Sequence, residues 1–304
     1  MNNRYYKKLA LTIALFLTLV GIAGIVKKNE PSSEIFRKHF WTYKVHSSKK
    51  YNIIFEGDSR IYRGIDVNSF NKGININSIH TLNFGFSSGG HNKDIFNAVE
   101  NKLLHTSLNI VVLGITPFSL TPKAQLNEHF IEEQNRNKGE TIERMYFYPF
   151  LSFFEPFNIQ KLLHPDTVTY YEKFHKNGWV ESYKIPANPN EALTSYKKEF
   201  ENNQVSDTVI AVLLQKVKEW KNKHIKVYAF RPPTTVNMET LENNISGFNE
   251  KEFIKKFETV GGKWIEIENR FNYNSYDGSH LHFYSAQQLS YYLGEKIKAD
   301  VVPK

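Results

Sequence analysis

The chain has no cysteine at any of its 304 positions. That excludes disulfides, cysteine nucleophiles and thiolate metal sites, though not any particular compartment. No stripe of lysine and arginine interleaved with aromatics runs through it. The formal charge of +8 is uneven: residues 1–28 hold five basic side chains and no acidic one, which leaves +3 for the remainder. Such a remainder carries no nucleic-acid signature. No internal repeat and no low-complexity segment is present. Tyrosine and phenylalanine, by contrast, are plentiful, at 17 and 23.

One long apolar run stands out, LALTIALFLTLVGIAGIV from Leu9 to Val26. A helix of that length just spans a hydrocarbon core. Arg4, Lys7 and Lys8 precede it, and Lys27 and Lys28 follow it. Ala23-Gly24 is a poor cleavage site, so the run is expected to be an uncleaved anchor rather than a removed signal. A short tail before a single span usually stays inside. The expectation is therefore a single-pass protein of the cell membrane, with its remaining domain outside the cytoplasm. Residues 1–28 would be tail and anchor, 29–50 a juxtamembrane linker, and 51–304 one folded domain.

Within that domain, apolar runs at 51–56, 80–86, 108–115, 225–230 and 263–268 read as strands. Segments at 92–104, 207–224, 250–260 and 285–299 have helical spacing, with Asp207 and Ser285 as expected caps. Strands alternating with helices predict an α/β fold, a doubly wound parallel sheet between two helical layers. Residues 116–206 break the rhythm and form a long insertion after the third strand. It holds the aromatic stretch MYFYPFLSFFEPF, Met145 to Phe157. The insertion reads equally as an ordinary subdomain or as a lid over a site.

The chemistry centres on two short stretches. In YNIIFEGDSRIYRGID, an apolar strand stops at Gly57-Asp58-Ser59. A helix starting there would put Ser59 beside its first free N–H groups, a suitable place for a nucleophile whose attack creates an oxyanion. The bland alternative is a strand end capped by Asp58 or Ser59. In NSYDGSHLHFYSAQQLS, Asp277 and His280 lie three apart in a turn. A serine nucleophile needs an imidazole to take its proton and a carboxylate to orient that imidazole.

EGDSRIYRG and YDGSH together resemble the first and last blocks of the SGNH hydrolases, the GDSL esterase/lipase-like family, and NFGFSSGG, Asn83 to Gly90, looks like the second block. The resemblance covers roughly 51–115 and 225–299. It implies that Ser59 is the nucleophile, His280 the base and Asp277 its orienter. The oxyanion hole would use the N–H of Ser59 and that of Gly89, or of Ser88, since the block carries one extra residue. In the third block the family usually presents an asparagine side chain, whereas LGITPFS places Thr116 there. The resemblance implies no metal and no cofactor.

Arg60, Arg63 and Arg231 are candidates to bind an acidic group of a substrate, and equally to pair with nearby carboxylates. His282 and His91 read as packing or turn residues. The leading expectation is an extracytoplasmic serine esterase or O-acyltransferase acting on acyl, chiefly acetyl, esters of envelope carbohydrate, with a membrane acyl-donor protein as a partner. Alternatives are a lipase-like hydrolase of small lipid esters, and a degenerate member that holds a glycan or a partner.

Overall fold

The computed structural model describes residues 3–27, 33–104, 106, 108–148 and 169–301, with the side chains of the first segment described from Arg4 to Val20. In chain order the helices are α1 (Asn3–Lys27), α2 (Arg37–His46), α3 (Ser59–Gly64), α4 (Val67–Ile74), α5 (Lys93–Lys102), α6 (Glu128–Gln134), α7 (Lys138–Ile142), α8 (Leu193–Glu199), α9 (Asp207–Asn222), α10 (Val236–Ile245), α11 (Glu250–Thr259) and α12 (Phe283–Val301). The strands are β1 (Ile53–Glu56), β2 (Thr81–Asn83), β3 (Ile110–Gly114), β4 (Thr169–Phe174), β5 (Val180–Ile185), β6 (Lys226–Phe230) and β7 (Lys263–Trp264).

Five strands form one sheet in the order β2-β1-β3-β6-β7, and every pairing is parallel. Parallel sheets need cover on both faces, and the alternation of side chains shows how it is achieved. Ile54, Val111, Leu113, Val227 and Ala229 point into one core, with Ile95, Phe96 and Val99 of α5, Leu213, Val217 and Trp220 of α9, and Phe253 and Phe257 of α11. Ile53, Phe55, Ile110, Val112, Tyr228 and Phe230 point into the other, with Ile61 of α3, Phe70 and Ile74 of α4, and Leu289, Leu293 and Ile297 of α12. The result is a three-layer α/β/α domain.

The N-terminal expectation is corrected. Among the described residues no helix is long and apolar enough to cross a membrane. The first turns of α1 carry Arg4, Lys7 and Lys8. The anchor, the single-pass location and the membrane as a partner are withdrawn. So is the membrane acyl-donor protein, which rested on the anchor.

Within 29–50, α2 is seated in the domain. Phe40, Thr42 and Lys44 are buried. Lys44 Nζ donates to Gly85 O at 2.8 Å among the rings of Phe40, Trp41, Tyr62 and Phe86, and burial pulls its ammonium well below the ordinary lysine value.

Two caps also differ from expectation. Asp207 is the first residue of α9, with Ser206 preceding it at the cap position. Ser285 lies inside α12, where its Oγ accepts from Asn274 N. The insertion contributes α6 to α8 and an antiparallel hairpin, β4–β5, with Tyr171 opposite Tyr183 and Glu172 opposite Ser182. Of the aromatic stretch Met145–Phe157, residues 149–157 lie outside the described residues.

The turn after β1 needs glycine. Gly57 has φ +151°, and a Cβ there would sit 2.6 Å from Ile61 Cγ1 and 3.0 Å from Gly114 O. Gly57→Ala is expected to destabilise the domain by about 2–4 kcal/mol through backbone strain and overlap. A denaturant midpoint unchanged from wild type would contradict this account of the turn.

Candidate active site

The site is built where β1 ends. Asp58 caps α3: its Oδ1 accepts from Arg60 N at 2.9 Å, which leaves Ser59 as the first helical residue. The other Asp58 oxygen accepts from Thr116 Oγ1 at 2.7 Å, and Ser119 N donates to the same hydroxyl at 3.1 Å. Thr116 therefore spends its one hydroxyl proton on Asp58 and has none left for an oxyanion. Its place after β3 makes it a brace for the nucleophile turn.

The segment after β7 brings up the partners of Ser59. Tyr276 N donates to His280 O at 3.1 Å, and Ser275 pairs with Leu281, so the chain between them is a closed turn. His280 Nε2 lies 2.9 Å from Ser59 Oγ, and His280 Nδ1 lies 2.7 Å from Asp277 Oδ2. The second Asp277 oxygen accepts from the backbone N–H of both Ser279 and His280. Burial alone would push the Asp277 carboxyl up. The bonds from the His280 ring and the two N–H groups outweigh it and hold the carboxyl down at about 2, against an ordinary 3.8. Asp277 is thus ionised at neutral pH and fixes which ring nitrogen of His280 carries the proton. The structure brings Ser59, His280 and Asp277 together in one relay.

The loop carrying Ser88 and Gly89 lies against the nucleophile turn. A Cβ on Gly89 would stand 3.1 Å from Gly57 O, and Ser88 has a left-handed backbone, φ +52°. Gly89 N reaches Phe86 O only at 3.4 Å. The carboxamide of Asn127 grips the next residue from both sides, accepting from Gly90 N at 2.9 Å and donating to Gly90 O at 2.6 Å. His91, at the end of the loop, pairs through Nδ1 with Glu56 of β1 at 2.7 Å.

The three arginines have protein partners. Arg60 is buried, with Nη2 at 2.7 Å from Glu242 Oε1 and Nε donating to Ser279 Oγ at 3.0 Å. Burial would pull its guanidinium down, but Glu242, Tyr196 and Asp58 push it up and keep it charged. Arg231 binds the same Glu242 at 3.1 Å and Glu250 at 2.7 Å. Arg63 pairs with Glu172 at 2.9 Å. Arg60 and Arg231, expected as substrate contacts or ion-pair partners, take the second role. His282 stacks on Phe283. A cleft of about 540 Å³ lined by Asn243, Phe248, Glu250 and Arg270 lies apart from the relay, and neither Ser59 nor His280 lines it.

Sequence reasoning missed Glu242, Ser279 and Tyr196. Ser279 lies inside the YDGSH motif, but nothing in the sequence around Glu242 marks it, since its partner Arg60 is 182 positions away.

No protein-family model matches the chain, and no curated protein matches it significantly. Among solved structures it is similar to the inhibitor-bound aryl esterase of M. smegmatis, with 10% identity and a TM-score of 0.39 over 83% of this chain and 99% of that one. It is also similar to a carbohydrate acetylesterase from Sinorhizobium meliloti, at 11% and 0.37 over 81% and 98%. A third is a putative platelet activating factor from Streptococcus pneumonia, at 10% and 0.38 over 95% and 98%.

Two outcomes follow from the charges. Glu242→Ala leaves two buried guanidinium groups without their shared carboxylate and is expected to cost about 3–5 kcal/mol of unfolding free energy. A loss under about 1 kcal/mol would show that the cluster is dispensable. For Asp277, a folded value below the unfolded one stabilises the fold fully above about pH 4, and that contribution, about 2 kcal/mol, is lost as pH falls through about 2. The stability gap between wild type and Asp277→Asn should therefore be widest above pH 4 and narrow towards pH 2. A gap independent of pH would contradict the depressed carboxyl.

Proposed function

We propose that this chain is a serine esterase of the SGNH, or GDSL, type that cleaves acyl esters through an acyl-enzyme on Ser59. The observation that carries the proposal is the unbroken relay from Ser59 Oγ through His280 to Asp277, at 2.9 and 2.7 Å. His280 takes the Ser59 proton as Oγ attacks the ester carbonyl. The imidazolium, stabilised by Asp277, then gives that proton to the departing alkoxide, and the acyl group stays on Ser59. Water attacks the acyl-enzyme by the same steps, releasing the acid and restoring the serine.

The oxyanion is assigned to backbone N–H groups. Ser59 N has no backbone acceptor among the described residues, and the Gly89 N–H is only loosely engaged. With the Thr116 hydroxyl committed to Asp58, the hole lacks the family's side-chain donor. Loss of one such donor costs on the order of a hundredfold in rate. A slow esterase is the expectation.

Substrate class follows from the surroundings of the relay. Tyr276 stacks on His280, and Tyr62, Arg63 and Tyr170 lie beside Tyr276. Among the described residues these neighbours are hydroxyl- and charge-bearing groups. They favour a short acyl group, such as acetyl, on a polar alcohol such as a sugar. Hairpin β4–β5 of the insertion is proposed to flank the relay, through Tyr170 and Ser182 beside Tyr276. With the anchor withdrawn, hydrolysis precedes transfer, and a sugar hydroxyl replacing water remains the outcome to test.

Ser59→Ala, His280→Ala and Asp277→Asn are each expected to lower kcat on p-nitrophenyl acetate and acetylated oligosaccharides by about a thousandfold or more, with losses that do not add. A fluorophosphonate should label the wild type and not Ser59→Ala. Mass spectrometry of an added oligosaccharide distinguishes transfer from hydrolysis. Normal turnover in Ser59→Ala would end the serine mechanism.

A further inference from the structure

We propose that Tyr276 is a positioning residue for His280, and that Arg63 holds Tyr276 in place from the nucleophile's own helix. The proposal rests on the esterase reading for its kinetic consequences, but its geometry stands apart from it. His280 is held at both ring nitrogens, by Asp277 and by Ser59. Two contacts in the plane of a ring define a line, and the ring can still tilt about that line. A contact with its face removes that freedom. Tyr276 supplies it: the two rings lie within 20° of parallel, with centroids 5.9 Å apart. The same face meets the imidazolium when His280 accepts the serine proton, and an aromatic face attracts a cation at that separation.

Tyr276 is itself immobilised. It is buried, and burial pushes its phenol up, so the group is a neutral hydroxyl. Arg63 Nη1 donates to that hydroxyl at 3.1 Å, and Ser182 Oγ of β5 lies 3.3 Å from it. Arg63 is in turn fixed on three sides: Nε donates to Tyr62 OH at 3.1 Å, Nη1 also reaches Tyr170 OH, and Nη2 pairs with Glu172 of β4. These bonds occupy the fork that a substrate anion would use, so Arg63 braces the site rather than binding an acidic substrate.

The arrangement has a consequence for precision. Ser59 and Arg63 are four residues apart on α3, so they share a helix face one turn apart. The nucleophile stands at the start of that helix, and the base is located from its last turn through Tyr276. A shift of α3 carries both together. The insertion enters the site at the same point, because Glu172 and Ser182 are opposite each other in hairpin β4–β5.

The test compares Tyr276→Phe, Tyr276→Leu, Arg63→Met and the double variant Arg63→Met/Tyr276→Phe in the full chain. Tyr276→Phe keeps the ring and loses the tether, and kcat should fall about tenfold with KM within about twofold. Tyr276→Leu loses the ring and should fall about a hundredfold. Arg63→Met should match Tyr276→Phe, and the double variant should be no slower than either, because both remove one tether. Proton NMR of the His280 Nδ1–H supplies a readout independent of turnover: its downfield signal should broaden or vanish in Tyr276→Leu and persist in Lys223→Met, which removes only an exposed ion pair with Glu100. If wild type shows no Ser59-dependent turnover, the esterase reading fails and the NMR comparison alone decides the positioning. Folded Tyr276→Leu with wild-type kcat and an unchanged His280 signal would overturn the proposal. So would a loss confined to KM, which would return Arg63 and Tyr276 to substrate binding.

Discussion

Glu242 holds a carboxylate where water does not reach, and Arg60 and Arg231 hold it from two sides. The candidate site depends on this cluster. Arg60 follows the nucleophile by one residue, Arg231 leaves the end of β6, and Glu242 lies on α10. One buried carboxylate therefore ties the nucleophile helix, the central sheet and a helix of the outer layer. The free Nε of Arg60 then reaches Ser279, the neighbour of His280. Ser59 and His280 are 221 positions apart in the chain, and the residues adjoining them are bonded directly. Burying three charges has a large desolvation cost, offset here by short charge-assisted bonds and full pairing. The cluster is better explained as a device for placing groups than as a source of net stability.

A second tie works at the other end of α3. Asn83 donates to Ile61 O at 2.8 Å and to Ile65 O at 2.9 Å, while its own oxygen accepts from Gly85 N. The helix carrying Ser59 is thus closed at its C-terminal end by the strand that leads into the Gly89 loop. At its start, Asp58 serves as cap and as acceptor for Thr116. The hydroxyl of Thr116, committed to Asp58, stiffens the turn that carries Ser59.

The sheet and much of the site were legible in the sequence because their signals are local. Buried parallel strands are continuous apolar runs, and the runs at 51–56, 108–115 and 225–230 coincide with β1, β3 and β6 to within a residue or two. Of the run at 263–268, only Lys263–Trp264 is paired as a strand on β6, with Ile265 N donating to Ala229 O at 2.8 Å just beyond it. The Asp277–His280 spacing is readable because three residues of a tight turn bring two side chains to one place. Ser285 misled as a cap because a serine before an apolar helix and a serine inside it look alike until the acceptor, or here the donor Asn274 N–H, is known.

The sequence alone determined the alternation of strands and helices and the place of the turn after β1, since both follow from periodicity and local punctuation, whereas the grouping of Ser59 with Asp277 and His280 came from a family resemblance. Only the tertiary structure decided what the polar neighbours do. Arg60, Arg63, Arg231 and Thr116 each had two roles open to them, and the choice rested on partners far away in the chain: Glu242, Glu172 and Tyr276, Glu250, and Asp58. A charge or a hydroxyl takes its role from whatever lies within about 3 Å of it, and that distance is set by packing rather than by order along the chain.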